Sequence, residues 1–208
     1  MGRPRQPLLS RERITAAALR IVDAEGLPAL TTRRLAADLG VSGPSLYNHF
    51  ATMDEIVDAM ADGVLDQVDI SMLGRDPWAE ALRAWARSYR AALAAHPHLV
   101  PVLARGPGRR PAGLRLANAV FGALIQAGWP RAQATRIGAL MRYFVTGSAL
   151  ASFATGFPTD ASLYAADYPH LAEAHLMAGH QRRIDEGAFE TGLTALLDGL
   201  TTQYERLP

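Results

Sequence analysis

The sequence predicts an all-α fold, and three observations carry that prediction. Apolar residues recur at three- and four-residue intervals along most of the chain. The runs open on Ser, Thr, Asp or Pro and close on Gly or Pro. One stretch, Thr31 to Phe50 (TTRRLAADLGVSGPSLYNHF), sets two short helices around a single glycine turn. At 208 residues and 49% hydrophobic composition, the chain is long enough for one or two packed domains.

Residues 1 to 9 read as a flexible arm whose Arg3 and Arg5 are either solvated or within reach of a nucleic-acid backbone or minor groove. Ser10 then caps a helix with Ile14, Ala17, Ala18, Ile21 and Val22 at helical spacing, ended by Gly26 and Pro28. In the central stretch Thr31 or Thr32 caps a two-turn helix with Leu35, Ala36 and Leu39 on its apolar side. Gly40 ends that helix in the left-handed conformation that glycine adopts freely, and Val41 plugs the turn. Ser42 is the next N-cap, and Pro44 sits in the first turn, where its missing amide hydrogen costs nothing. Leu46 and Phe50 face inward, which turns Gly43, Ser45, Tyr47, Asn48 and His49 outward. The outward groups are small or hydrogen-bonding, with one aromatic. Such a surface can enter a DNA major groove and donate to phosphates, although the same pair of helices also fits a hairpin inside a larger bundle.

Thr52 and Glu55 form a T-x-x-E capping box for a helix with Ile56, Val57, Met60, Val64 and Val68 on one side. Its other side holds Asp58, Asp62, Asp66 and Asp69, expected as a solvated face. Asp76 and Pro77 open a helix lined by Trp78, Leu82, Trp85, Ala86, Tyr89 and Leu93, and His96-Pro97-His98 stops it in an exposed turn. A short apolar segment, Leu99 to Ala104, leads into RGPGRRPAG, a loop whose arginines are read as solvated. From Pro111 a helix presents Leu114, Ala117, Phe121 and Ile125 and closes at Gly128. The long helix from Pro130 to about Gly156 carries Ile137, Leu140, Met141, Phe144 and Val145, with Ala134, Gly138, Gly147, Ala149 and Ala151 on its remaining faces. Small residues there suit burial on more than one side. The loop FPTDASLYAADYP, a short helix from Pro169 and a final helix from about Asp185 to Tyr204, with Phe189, Leu193, Leu196, Leu197 and Leu200, complete the chain.

Composition excludes several chemistries. With no cysteine, disulfides, thiolate catalysis and Cys-ligated metals are ruled out. The basic N-terminus lacks the apolar run of a signal peptide and no segment holds eighteen uninterrupted apolar residues, so a cytoplasmic location is expected. The net charge of +1 conceals an asymmetry: residues 1 to 50 carry seven Arg against four Asp and Glu, whereas the remainder is net acidic. Every basic residue is Arg, so any phosphate contact here is a guanidinium fork or a neutral donor. G-x-S-x-G, G-x-x-x-x-G-K-[ST] and H-E-x-x-H are absent, and the nucleophiles have no base at a diagnostic spacing. His170, His175 and His180 recur every five residues, which spreads them around a helix. No enzyme activity, cofactor or metal is expected.

LTTRRLAADLGVSGPSLYNHF closely resembles the DNA-binding segment of the tetracycline-repressor (TetR) family of bacterial transcriptional regulators. The helix, the Gly-Val turn, the Pro-Ser-Leu-Tyr opening and the terminal His-Phe stand in register. FETGLTALLDGL resembles the final helix of the family's C-terminal domain. The resemblance implies a three-helix helix-turn-helix domain at 1–50 and a helical effector-binding and dimerisation domain at 51–208. It also implies a homodimer on double-stranded operator DNA, released by a hydrophobic small-molecule effector. By the same resemblance Thr32 and Arg33 reach phosphates or a base edge, Gly43, Pro44 and Ser45 lead the recognition helix into the groove, and Tyr47 and His49 donate to phosphates. Two departures stand out: Gly43 replaces a polar readout side chain, and Met53 replaces a phosphate-binding lysine. The implied effector walls are Met60, Val64, Trp85, Tyr89, Val102, Leu103, Leu116, Val120, Phe121, Met141 and Phe144. Magnesium-tetracycline recognition in this family uses a histidine in the helix matching Leu99 to Ala104. Val102 or Leu103 stands there, so that ligand is not expected. The competing reading is an all-helical small-molecule carrier or enzyme that kept the fold and lost DNA recognition.

Overall fold

The computed structural model describes residues 9–75, 77–164 and 167–207. The expectations for Arg3, Arg5 and the Asp76 cap lie outside the described residues. Among them are nine α-helices and no strand: α1 (Arg11–Glu25), α2 (Thr32–Leu39), α3 (Gly43–Tyr47), α4 (Met53–Asp66), α5 (Trp78–Ala95), α6 (Val100–Ala104), α7 (Pro111–Gln126), α8 (Arg131–Leu150) and α9 (Gln181–Tyr204). Short 3-10 turns join several of them. By contact the chain divides into two compact units, Met1–Val68 with Ala91–Asn118, and Asp69–Arg90 with Ala119–Pro208.

In the first unit the helix ends form where local chemistry placed them. The Ser10 hydroxyl accepts from the Arg13 amide at 3.2 Å, and α1 buries Ile14, Ala17, Ala18, Ile21 and Val22. Thr31, not Thr32, caps α2, accepting from the Arg34 amide at 3.2 Å. Gly40 closes α2 at φ 68° and the Val41 amide reaches back to the Ala36 carbonyl at 3.0 Å, a closure that needs a left-handed residue at Gly40. At α4 the Thr52 hydroxyl accepts from the Glu55 amide at 3.1 Å, while the Glu55 carboxylate takes the Ala51 amide at 2.9 Å. Ile56, Met60, Ala61, Val64 and Leu65 are then buried along one stripe of α4.

The carboxylate face of α4 is not merely solvated. Asp58 accepts from Arg110 Nε at 3.1 Å, Asp62 accepts from the Ala112 amide at 2.7 Å, and Asp66 pairs with Arg115. Asp69 falls beyond the helix, where the Ser71 amide holds its carboxyl below the usual carboxylate range. Arg110 is likewise no solvated loop residue, being 7% exposed and donating also to the Val102 carbonyl at 3.4 Å. Periodicity put the three aspartates in line, but only the tertiary fold brings the start of α7 against them. Gly113 allows that approach, since a Cβ there would stand 3.1 Å from Pro107 Cβ and 3.3 Å from Leu65 Cδ1. Asp62→Ala should therefore cost about 1 kcal/mol as a lost helix cap. Asp58→Ala should cost about 1–3 kcal/mol, because Arg110 stays buried without its counter-ion. Urea unfolding of the two variants measures both.

His98 is exposed in its turn as expected, whereas His96 is half-buried, and both are bonded to α1. His96 Nδ1 lies 3.0 Å from both Asp23 oxygens, and His98 Nδ1 donates to the Val22 carbonyl at 2.9 Å, so the turn before α6 is pinned to the end of α1. The buried stripe of α7 is rotated from the expected one. Ala112, Leu116, Val120, Ala123 and Leu124 are buried, whereas Leu114 is 51% exposed.

In the second unit α5 buries Leu82, Trp85, Ala86 and Tyr89. Its arginines dock α9: Arg83 donates to Thr194 at 3.2 Å and Arg87 forks onto Glu190 at 2.9 and 2.7 Å. Arg90 reaches the Asp185 carbonyl at 3.3 Å and lies 4.6 Å from the Phe189 ring centroid. The Arg87 fork holds the Glu190 carboxyl below its ordinary value. Small residues admit close aromatic contact, as expected for α8. A Cβ on Gly138 would meet Phe121 Cε1 at 2.2 Å, and one on Gly192 would meet Phe144 Cε2 at 2.7 Å. Helix α8 stops at Leu150 instead of near Gly156, where Ala151 turns extended, and α9 begins at Gln181, ahead of the expected Asp185. The segment from Pro169 forms 3-10 turns in place of a regular helix.

Candidate nucleic-acid interface

Helix α3 has five residues, with Ser42 at the N-cap position and Pro44 in the first turn. It is shorter than expected, so Asn48 and His49 lie in the turn that follows, and the His49 and Phe50 amides both end on the Leu46 carbonyl at 3.0 and 3.1 Å. Ser42 makes no side-chain cap bond; its hydroxyl instead lies 2.8 Å from that of Ser45. Leu46 and Phe50 are buried beneath, as their spacing requires.

On the outer side the Thr32 and Tyr47 hydroxyls are 2.8 Å apart, joining the first turn of α2 to the last residue of α3. Tyr47 is 46% exposed. Two hydroxyls sharing one hydrogen bond leave one O–H free to donate outward, the arrangement a phosphate oxygen accepts. Gly43 faces the same pair, since a Cβ there would stand 3.3 Å from the Thr32 methyl. Its lack of a side chain therefore seats α3 against α2, besides removing a readout group. The structure thus brings Thr32, Gly43 and Tyr47 together.

The two arginines of α2 differ. Arg34 is tied to Glu25 at 2.8 Å and to Asp38 at 4.0 Å, and the Glu25 carboxylate raises its pKa further. Arg20 takes the other oxygen of Asp38 at 3.0 Å. Arg33 is exposed and, among the described residues, forms no side-chain bond, leaving its fork available to an external partner. Pro44 is exposed, Ser45 and His49 are half-buried, and the His49 carbonyl is taken by Arg11. Neither Arg11 nor Arg110 was legible as a site residue, because an arginine at a helix start or in a loop carries no local signal of its partner.

Of the effector-wall residues, Met60, Val64, Val102, Leu103 and Leu116 are buried in the first unit. Trp85, Tyr89, Val120 and Met141 are buried in the second, where Phe121 and Phe144 remain partly exposed. In that unit the Trp85 and Tyr89 rings stand 5.4 Å apart and Phe144 stacks on Phe189 at 5.3 Å. Trp85 Nε1 and Thr146 Oγ1 are buried without a hydrogen-bond partner among the described residues. Among the described residues, no three His, Asp or Glu side chains are placed to share a metal ion, and no helix is long and apolar enough to cross a membrane.

Residues 14–60 match the family described as bacterial regulatory proteins, tetR family, and residues 71–204 match the tetracyclin repressor-like C-terminal domain. The chain is 31% identical to the class C tetracycline repressor protein of Escherichia coli, over 92% of this chain and 90% of that one. It shares the fold of a possible TetR family transcriptional regulator from Streptomyces coelicolor A3(2), with a TM-score of 0.77, 33% identity and coverage of 93% and 99%. The Streptomyces coelicolor protein ActR in complex with actinorhodin superposes with a TM-score of 0.75 and 30% identity over 95% and 99% of the two chains. With both parts of the chain matched and a helix-turn-helix in which Thr32 and Tyr47 join the two helices on an exposed face, the chain belongs to the TetR family of DNA-binding transcriptional regulators.

Proposed function

We propose that the chain is a homodimeric repressor whose N-terminal domain, residues 1–50, reads an operator and whose remainder, residues 51–208, pairs the copies and binds the effector. The Thr32–Tyr47 bridge, next in sequence to an Arg33 that has no side-chain partner among the described residues, carries this reading. It holds two hydroxyls on facing helices, with one O–H directed outward, before DNA arrives, so little is lost in ordering them on binding. Thr32, Tyr47 and His49 take backbone phosphates, Arg33 reaches a phosphate or a guanine edge, and Gly43, Pro44 and Ser45 let α3 enter the groove. With Met53 where the family places a lysine, the hydroxyls and Arg33 carry more of the backbone contact.

Pairing runs through α8 and α9. Leu140, Tyr143 and Leu150 are exposed along α8, and Gly147 beside them is open, a seam at heptad-like spacing that a second copy covers. A twofold pair places two α3 helices about 34 Å apart on a near-palindromic site.

The effector is a flat, largely apolar molecule held by aromatic residues such as Trp85, Tyr89, Phe121 and Phe144, with acceptor atoms for the unpartnered Trp85 Nε1 and Thr146 Oγ1. A small-molecule effector is in keeping with the structural relative ActR, which is seen in complex with actinorhodin. Its differential affinity for the free and DNA-bound states supplies release. The test is an operator complex at half saturation, challenged with compounds first selected by tryptophan quenching. A compound that binds and lowers DNA occupancy establishes induction, whereas tight binders that leave occupancy unchanged exclude it.

A further inference from the structure

A five-residue helix does not hold its own orientation; something outside it must. Underneath, Leu46 and Phe50 anchor α3 by burial, and on its outer side Tyr47 is bonded to Thr32. Its C-terminal end has a third support, which comes from the first turn of α1. Arg11 Nη1 donates to the His49 carbonyl, and the Arg11 guanidinium carbon lies 3.8 Å from the centroid of the Phe50 ring. One side chain thus binds the backbone just past α3 and the ring that anchors it. A cation is favourable there, since the carbonyls at a helix C-terminus carry partial negative charge.

We propose that Arg11 is a positioning residue for operator recognition, fixing the angle of α3 against α1 without itself taking a phosphate. The assignment rests on the reading of α3 as the DNA-facing helix. One donor of Arg11 is already engaged by a carbonyl, and a face of its guanidinium is committed to Phe50. Its contribution to binding is therefore geometric, and it acts on specific complexes more than on nonspecific ones.

The full chain carrying Arg11→Ala, Arg11→Lys, Phe50→Leu or Tyr47→Ala is titrated with the operator and with a scrambled duplex at four salt concentrations. Arg11→Ala should weaken operator binding about tenfold with little change on the scrambled duplex, about threefold for each of a dimer's two half-sites, since it misaligns α3 and removes no contact to DNA. The line of log K against log salt should keep its slope, because no phosphate contact is removed. Arg11→Lys, which can still donate to the carbonyl and sit over the ring, should recover most of the affinity. Phe50→Leu, which keeps an apolar anchor but removes the ring, should show a smaller loss at the same slope. A slope lowered by about one per half-site in Arg11→Ala would make Arg11 a phosphate clamp and overturn the proposal. Unchanged affinity in Arg11→Ala alongside a loss in Tyr47→Ala would overturn it too, whereas unchanged affinity in Tyr47→Ala would remove the reading of α3 beneath it.

Discussion

Tyr47→Ala lowers operator affinity about a hundredfold and leaves the melting temperature within about 2 °C of the unsubstituted chain. The affinity loss follows from the bridge at the interface. Each half-site loses a donor to a charged phosphate, worth about 1.5 kcal/mol or more, and a dimer loses two. The fold tolerates the change because Tyr47 is largely outside the core, which Leu46 and Phe50 close beneath it. Tyr47→Phe and Thr32→Val each remove one hydroxyl of the pair. If the pair acts as a unit, the double variant binds no more weakly than the worse single one, and a double-mutant cycle in anisotropy titrations reads that coupling. Wild-type affinity in Tyr47→Ala would sink the assignment of α3 as the DNA-facing element.

Glutamates at Leu140 and Tyr143 together convert the protein to monomers and reduce operator binding about a thousandfold. Tyr143 is 69% exposed and Leu140 is 39% exposed on α8, so neither substitution opens a cavity in the protomer. Across a twofold seam, however, each charge would be buried without a partner, a cost of several kcal/mol per pair. A monomer then holds one half-site alone and loses the gain of linked binding, typically a factor of 100 or more. Sedimentation velocity gives the mass and anisotropy the affinity. A variant that remains dimeric would place the pairing surface elsewhere, and a monomer with full operator affinity would remove dimerisation from the mechanism.

What was legible in the sequence is what local chemistry decides. Ser10, Thr52 and Gly40 mark helix ends because each satisfies backbone groups within four residues of itself, and the structure places all three as expected. The inward pair Leu46 and Phe50 follows from spacing alone. Features that depend on distant chain were hidden. Asp58 and Asp66 are exposed, as a solvated stripe requires, but the bonds of Asp58, Asp62 and Asp66 were hidden because their partners lie some fifty residues away in Arg110, Ala112 and Arg115. The bonds of the turn residues His96 and His98 were hidden because Asp23 and Val22, which they bind, belong to α1. The stripe of α7 was misjudged because Leu114 and Phe121 are as apolar as the buried Leu116 and Val120, and helical spacing fits either face. At the interface, Tyr47 and Thr32 were each named for phosphate contact, but their bond to each other, and the reason Gly43 is small, needed the two helices in place.

The measurement that tests the central claim most directly is a fluorescence titration with a labelled duplex from immediately upstream of the protein's own gene, against a scrambled competitor, at several salt concentrations. The account predicts tight binding to the upstream duplex, at least a thousandfold preference over the scrambled one, and a steep linear loss of log K with log salt. Weak binding that is equal for both duplexes and for every other segment around the gene would contradict it.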